Sequence, residues 1–412
     1  MSRRGPKDFD VIVVGAGVIG VVMASLLVTR KLAAAARVAV VADRFAAAPA
    51  PGADWDLRVF AMSRASERLL RMCGVWDSLP ANRVFAYERM TVWDAGGAPS
   101  GSGSLSFDCA HIGEPNLGYI VDGRALQWHC LQAARALGIV LIEGAVETVA
   151  AGDDDVMLRL TDGRELRSTL LAAADGTDSK VRALVGIDTA GHAYDQDALV
   201  AHVRTSQAHA NTAWQRFLNT GPVAFLPLND ARSSIVWSVT RSRAEQLRAM
   251  SREDFGAALA AASGEALGQC ELTTSIASFP LQLQYAVDYA RPRVVLLGDA
   301  AHVVHPLAGQ GLNLGLLDCA ALVQVLDEAG GPENYGDYKH LRRYERWRRS
   351  ENTIAAAALD GLERLFGNSD ALSAGLRTAG LSAVAKIPFL KRSFAQRALG
   401  LAGDVPQFLK VV

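Results

Sequence analysis

The stretch that most constrains this chain is FDVIVVGAGVIG, residues 9–20. Its apolar run reads as a buried strand, glycines at 15, 17 and 20 punctuate the end, and Val18–Val28 carries a helical pattern. RVAVVAD, residues 37–43, supplies a second strand and completes a βαβ unit. In that context a glycine pattern too common to mean much alone becomes a dinucleotide-binding signal. Gly15 allows the tight turn, Gly17 lets a pyrophosphate approach the backbone, and Gly20 permits close packing of helix on strand. Asp43 closes the second strand, where an acid would hold ribose hydroxyls. Counting along that strand puts Ala42 at the expected position and Asp43 one step later, and one step reverses a side chain's direction. A solvated turn residue is the alternative for Asp43.

RVVLLGDAAHVVHPLAGQGLNLG, residues 293–315, has the same logic. Val294–Leu297 reads as a buried strand ended by Gly298-Asp299, and a helix is expected from near Asn313 through Leu326. Free N–H groups at such a helix start, beside the positive end of its dipole, suit an anionic group. Asp299 at the strand tip could accept hydrogen bonds from a polyol or ribose. A shorter passage, LAAADG at 171–176 with Ser179 and Arg182 beyond, is an apolar strand ending in an Asp-Gly turn. Together, in this order, the three are far more specific than any one.

Length and composition narrow the class. A chain of 412 residues holds about two to three domains. Half its residues are hydrophobic and a fifth charged, as in an ordinary globular enzyme. A formal net charge of −1 provides no field for nucleic acid or a membrane surface. Cys73, Cys109, Cys130, Cys270 and Cys319 are odd in number and scattered, with no C-x-x-C, which argues against a disulfide framework or a zinc ribbon. Cys319 falls in a helical pattern and reads as core. MSRRGPKDFD has no apolar stretch of the kind a cleaved signal needs. No window approaches the roughly 20 apolar residues that span a bilayer. The expectation is a cytoplasmic protein.

Along the chain, a helix is expected at 63–73, stopped by Gly74, then a strand at 90–95 and a helix at 124–137. Strands follow within 139–151 and 155–176, with a hairpin turn at Asp162-Gly163. From 186 to 284 the pattern becomes that of an antiparallel sheet with one amphipathic helix near 243–262. Residues 333–412 read as helical, broken at Gly361, Gly367, Gly380, Pro388 and Pro406.

GAGVIG at 15–20, AADGTDSKVR at 173–182 and LLGDAAHVVHPLAGQGLNLGLLD at 296–318 resemble the FAD-dependent aromatic-ring monooxygenases of the para-hydroxybenzoate hydroxylase type. Arg58 with MSRAS at 62–66, LGYIVD at 117–122, AFLPL at 224–228, IVWS at 235–238, FPL at 279–281 and LRRYER at 341–346 are similar to the ubiquinone-biosynthesis hydroxylase branch of that family. The likeness spans about 9–400. Departures are Ala42-Asp43, and Asp122-Gly123 where the branch often has Glu-Asn.

The resemblance implies an α/β fold: a Rossmann-type FAD-binding domain, an inserted antiparallel β-sheet substrate domain and a helical C-terminal region. FAD binding would fall to 1–75, 101–185 and 285–330, the substrate domain to 76–100 and 186–284, and the helical region to 331–412. It implies FAD as cofactor, NAD(P)H as transient reductant and O2 as co-substrate. The reaction would be ring hydroxylation of a polyprenylphenol through a flavin C4a-hydroperoxide, in a dry pocket, with no protein nucleophile. Gly15, Gly17 and Gly20 would bind pyrophosphate and Asp43 the ribose. Asp299 would meet the ribityl–pyrophosphate region, and Gly309, Gln310, Gly311, Leu312 and Asn313 the flavin's pyrimidine end. Arg58 would sit near flavin or pyrophosphate, with Asp175 and Gly176 serving the cofactor and passing NAD(P)H.

Phe225, Pro227 and Trp237 alternate in the inserted sheet and are candidates to line the substrate pocket, with plain core as the alternative. His305-Pro306 would shape the loop at the flavin face, His305 as a candidate proton handler. His302 and His305 lack a carboxylate at ligand spacing, so no metal is expected. The basic segment KHLRRYERWRRS at 339–350 is a solvated helix face or a contact for acidic partners or anionic lipid. The tail around Lys386, Pro388, Phe389, Leu390, Lys391 and Arg392 suits peripheral membrane docking. A hydroxylase of another small aromatic compound, and a non-catalytic flavin-binding member of a biosynthetic complex, are the competing readings.

Overall fold

The computed structural model describes residues 7–101, 104–304, 309–367, 400 and 403–410, with the backbone alone between 355 and 367. Its helices are α1 (Val18–Thr29), α2 (Arg64–Met72), α3 (Gly123–Ala136), α4 (Lys180–Leu184), α5 (Arg241–Ala249), α6 (Arg252–Ala262), α7 (Gln310–Glu328) and α8 (Tyr338–Gly367).

The first sheet has a parallel centre in the order Val294–Leu296, Glu165–Ala173, Phe9–Val14, Val38–Ala42, Val140–Glu143. Runs such as Val11-Ile12-Val13 and Val38–Val41 are fully buried, as parallel strands covered on both faces require. Helix α1 is apolar nearly all round and packs against α3 and α7. Val156–Leu160 folds back on Glu165–Ala173 through the expected Asp162-Gly163 turn, where Gly163 takes a φ of +89°.

A second sheet of nine strands is antiparallel throughout except where Thr212–Leu218 runs parallel to Arg89–Asp94. The strand Thr189–Thr205 is its spine. Helices α5 and α6 cover one face, with Leu247, Phe255 and Leu259 packed on Leu199, Ala201, Val223 and Ile235. The single helix expected at 243–262 is two. Met250 is extended, and Ser251 restarts the helix by accepting from the Asp254 N–H at 3.0 Å. Ser104–Asp108 pairs with Arg89–Asp94 in this sheet, although the expected boundaries assign 101–185 to the first unit. The expected boundary at 100 falls within the turn of that hairpin, before its return strand.

A three-stranded antiparallel sheet, Val59–Met62, Gly118–Asp122 and Val84–Tyr87, completes the architecture. Leu226 of the second sheet and Leu228 just beyond that strand share a cluster with the small sheet's Ala61, Phe85 and Ile120. Helix α8 runs through Gly361, because one interior glycine costs only about 1 kcal/mol.

Candidate active site

Three passages far apart in sequence end at the same carboxyl edge of the first sheet, since the strands that deliver them are parallel. Their glycines divide into two kinds. A β-carbon at Gly15 would overlap the carbonyl oxygen of Ala174, and one at Gly20 that of Gly15. One at Gly315 would lie 2.8 Å from Ile19 Cδ1 and 3.1 Å from Gly298 Cα. These glycines lock the passages together. At Gly17, Gly176 and Gly311, by contrast, nothing lies within 4 Å of a β-carbon. Those three leave backbone bare beside open space, where an anionic cofactor could approach two helix starts.

Helix α7 begins at Gln310, three residues before the expected Asn313, because Gly309 turns the chain with a φ of +63°. Asn313 is buried and its side chain is fully engaged. Nδ2 donates to Ala61 O at 2.8 Å, while Oδ1 accepts from Ser63 N at 2.9 Å and Ser66 Oγ at 2.7 Å. Only its backbone remains to face a ligand, and the amide side chain instead ties α7 to α2 and the small sheet.

Asp175 is likewise a structural hub. Its carboxylate accepts from Ser179 Oγ at 2.5 Å and Val181 N at 3.0 Å, opening α4. Arg182 then bridges two passages by donating to Thr177 O and Ala300 O, both at 2.9 Å. Asp122 caps α3 through the Ala125 N–H at 2.9 Å, so the departure from Glu-Asn there preserves a cap.

Asp299 lies half-buried at the strand tip. Burial pushes its pKa up, opposed by His302 and by Arg58, whose field reaches it across the site. Arg58 is exposed, its guanidinium carbon 5.1 Å from the Phe60 ring centre. Asp43 is exposed just beyond Val38–Ala42, where Ala42 pairs with Glu143. His305 and Pro306 lie outside the described residues, as do the tail positions 386–392.

A strand tip with an acid, two open helix starts and a clamped Asp-Gly turn are the parts of a flavin nucleotide site. The family described as FAD binding domain matches residues 8–353. The chain is 35% identical over 350 residues to the 3-demethoxyubiquinol 3-hydroxylase of Escherichia coli, covering 84% of this chain and 88% of that protein. It is 34% identical to the ubiquinone hydroxylase UbiL of Rhodospirillum rubrum, covering 100% and 96%. The chain belongs to the ubiquinone-biosynthesis hydroxylases. The fold agrees: p-nitrophenol 4-monooxygenase PnpA of Pseudomonas putida superposes with a TM-score of 0.73 at 19% identity, over 96% of this chain and 99% of that one. This hydroxylase is thus an FAD-dependent aromatic-ring monooxygenase that takes its electrons from NAD(P)H.

The hydroxylase's second sheet corrects the expected pocket. Phe225 and Trp237 sit in the helix-covered core, Trp237 with its ring centre 5.9 Å from that of Phe255, and Pro227, in phase with Phe225, is buried too. Alternation sends the neighbours to the face opposite α5 and α6. Val200, Ala224, Leu226 and Val236 stand there half-buried, with Phe279 in the same phase and 50% exposed. His202 and Ser234 pair across strands on that face, with neither imidazole nitrogen nor the hydroxyl partnered among the described residues. Alternating aromatics signal a two-faced strand, but they do not say which face the helices cover.

The basic segment of α8 is only partly solvated. Leu341, Tyr344, Glu345 and Arg348 are buried, whereas Arg343, Arg346 and Arg349 are exposed. Arg348 Nε reaches Asp318 Oδ1 at 2.7 Å. No motif assigns Asp318 a role, yet its sequence carries a signal: a lone acid inside the apolar run LGLLDCAALV. Among the described residues no group of three or more His, Cys, Asp or Glu could hold a metal, and no helix is long and apolar enough to cross a membrane.

Proposed function

We propose that this FAD-dependent hydroxylase acts on the ring of a polyprenylated phenol in ubiquinone biosynthesis. The observation that carries the reading is the face of the second sheet opposite α5 and α6, which the small sheet covers in part at Leu226. Its half-buried Val200, Ala224, Leu226 and Val236 form an apolar patch, and Arg232, the cation at its edge, is already held by Asp54 at 2.5–2.8 Å and Asp230 at 2.7 Å. With Arg232 already paired, and burial beside Arg232 holding the His202 pKa down, a substrate carboxylate gains no free cation among the described residues of this face, which favours a neutral, largely apolar ring.

In this reading Gly17, Gly176 and Gly311 give the cofactor its backbone approach, and Asp299 accepts from its ribityl hydroxyls. Asp43 holds the ribose. Arg58 stands beside the flavin's charged portion, and the backbone N–H groups of residues 309–313 meet the flavin where negative charge develops. Bound FAD, once reduced, supplies the oxygen-transfer chemistry that side chains cannot. The protein's own part is to orient the ring on Val200, Ala224 and Val236 and to exclude water. A polyprenyl tail resides in a membrane, and the exposed Arg346 and Arg349 of α8 suit an anionic surface. Loss of sedimentation with anionic vesicles in the Arg346→Glu, Arg349→Glu double variant would support that contact; unchanged sedimentation would remove it.

The experiment is oxygen uptake by the FAD-loaded enzyme with NAD(P)H and either a short-chain prenylphenol or a hydroxybenzoate. Faster coupled uptake with the prenylphenol supports the reading. Preference for the carboxylated ring would assign a soluble aromatic substrate instead.

A further inference from the structure

Asp318 is fully buried in the middle of α7 and collects four hydrogen bonds. Oδ2 accepts from Gly298 N at 3.0 Å and His302 Nε2 at 2.6 Å; Oδ1 accepts from Arg348 Nε at 2.7 Å and Asn352 Nδ2 at 3.2 Å. Arg348 is further held by Asn352 Oδ1 at 2.8 Å. One carboxylate therefore gathers the glycine before Asp299, an imidazole from the edge strand of the second sheet, and two side chains of α8.

A helix-to-helix ion pair would need only Arg348. The bond to the Gly298 N–H does something else, because Gly298 is the backbone hinge on which Asp299 hangs. Gly298 has a φ of +57°, and a β-carbon there would lie 3.2 Å from Ile19 Cγ1, in the first turn of α1. A shift of Gly298 would therefore move Asp299 and press on the helix start behind Gly17. His302 adds a second restraint: its ring stacks on Tyr289 at 5.9 Å, and its backbone pairs with Tyr285.

We propose that the Asp318–Arg348–Asn352–His302 cluster is a positioning clamp for the Gly298–Asp299 turn, through which α8 sets the affinity for FAD. The proposal rests on the reading of Asp299 as a cofactor ligand. None of the four touches the cofactor in this reading. They are positioning residues, acting by holding the turn's backbone where the ligand needs it.

The test uses full-length protein stripped of FAD, with Arg348→Lys and the milder Asn352→Ala, each alone and combined with Asp299→Asn. The FAD dissociation constant is read from flavin fluorescence, and folding is checked by circular dichroism at the same temperature. Each clamp variant should weaken FAD binding about tenfold or more, the scale on which removing a ligand's supporting shell is felt. Combination with Asp299→Asn should add little, because both act through one turn. Folded Arg348→Lys or Asn352→Ala protein with wild-type FAD affinity overturns the clamp. A fully additive loss in the double variants overturns it too. If Asp299→Asn alone binds FAD normally, the ligand reading fails separately, and the clamp is judged on its single variants.

Discussion

Gly20 lies so close beneath Gly15 that a β-carbon on Gly20 would overlap the Gly15 carbonyl oxygen, whereas Gly17 between them faces open space. The same motif thus contains a packing glycine and a ligand glycine. Gly20→Ala should lower the stability of the FAD-free protein by about 1–3 kcal/mol, the usual cost of overpacking. Gly17→Ala should leave that stability nearly unchanged and yet weaken FAD binding at least tenfold. Urea unfolding of the stripped proteins and flavin fluorescence titration separate the two.

Asp299 carries a cost in the FAD-free protein. Its pKa is raised by burial, with His302 and Arg58 pulling the other way. A raised carboxyl contributes its stability below the ordinary carboxylate pKa and loses it as pH rises through the folded value. Asp299→Asn should therefore make the FAD-free protein more stable than wild type at neutral pH, with the gap closing below about pH 4. FAD affinity should fall at the same time. Denaturant titrations at neutral and acid pH read the sign directly.

Asp318 behaves oppositely. Burial would raise its pKa, but His302 and Arg348 outweigh burial and hold it well below the ordinary range. Its contribution is present at all pH values above that range and is lost only in strong acid. Asp318→Asn leaves Arg348 buried without its counter-charge, which should cost about 3–5 kcal/mol at neutral pH. Thermal and urea unfolding of the FAD-free variant check the size.

The two faces of the second sheet should respond differently. Val236→Arg on the face opposite the helices should raise KM for a prenylphenol while FAD content and melting temperature hold. Phe225→Ala, in the core against α5 and α6, should cost about 3–5 kcal/mol in stability and leave KM of the folded fraction near wild type. Steady-state kinetics beside calorimetry tell them apart.

How far the sequence could be read follows from range of interaction. The βαβ unit, the Asp162-Gly163 hairpin and the glycine turns rest on neighbours in the chain, and their residues announced them. The face opposite the helices did not, because Phe225 and Trp237 alternate with Ala224 and Val236 equally well under either orientation, and only the placement of α5 and α6 decides. The clamp needed a contact between Asp318 and Arg348, residues on different helices. The break at Met250-Ser251 was legible as a serine cap but was hidden within a continuous amphipathic pattern.

Hydroxylation of a prenylated phenol is tested most directly by turnover of the FAD-loaded enzyme under isotopically labelled dioxygen, with NAD(P)H and a short-chain prenylphenol, followed by mass spectrometry of the product. The account predicts a ring-hydroxylated product whose added oxygen carries the label. Reductant oxidation that yields only hydrogen peroxide with this substrate, or a product whose new oxygen comes from water, would contradict it.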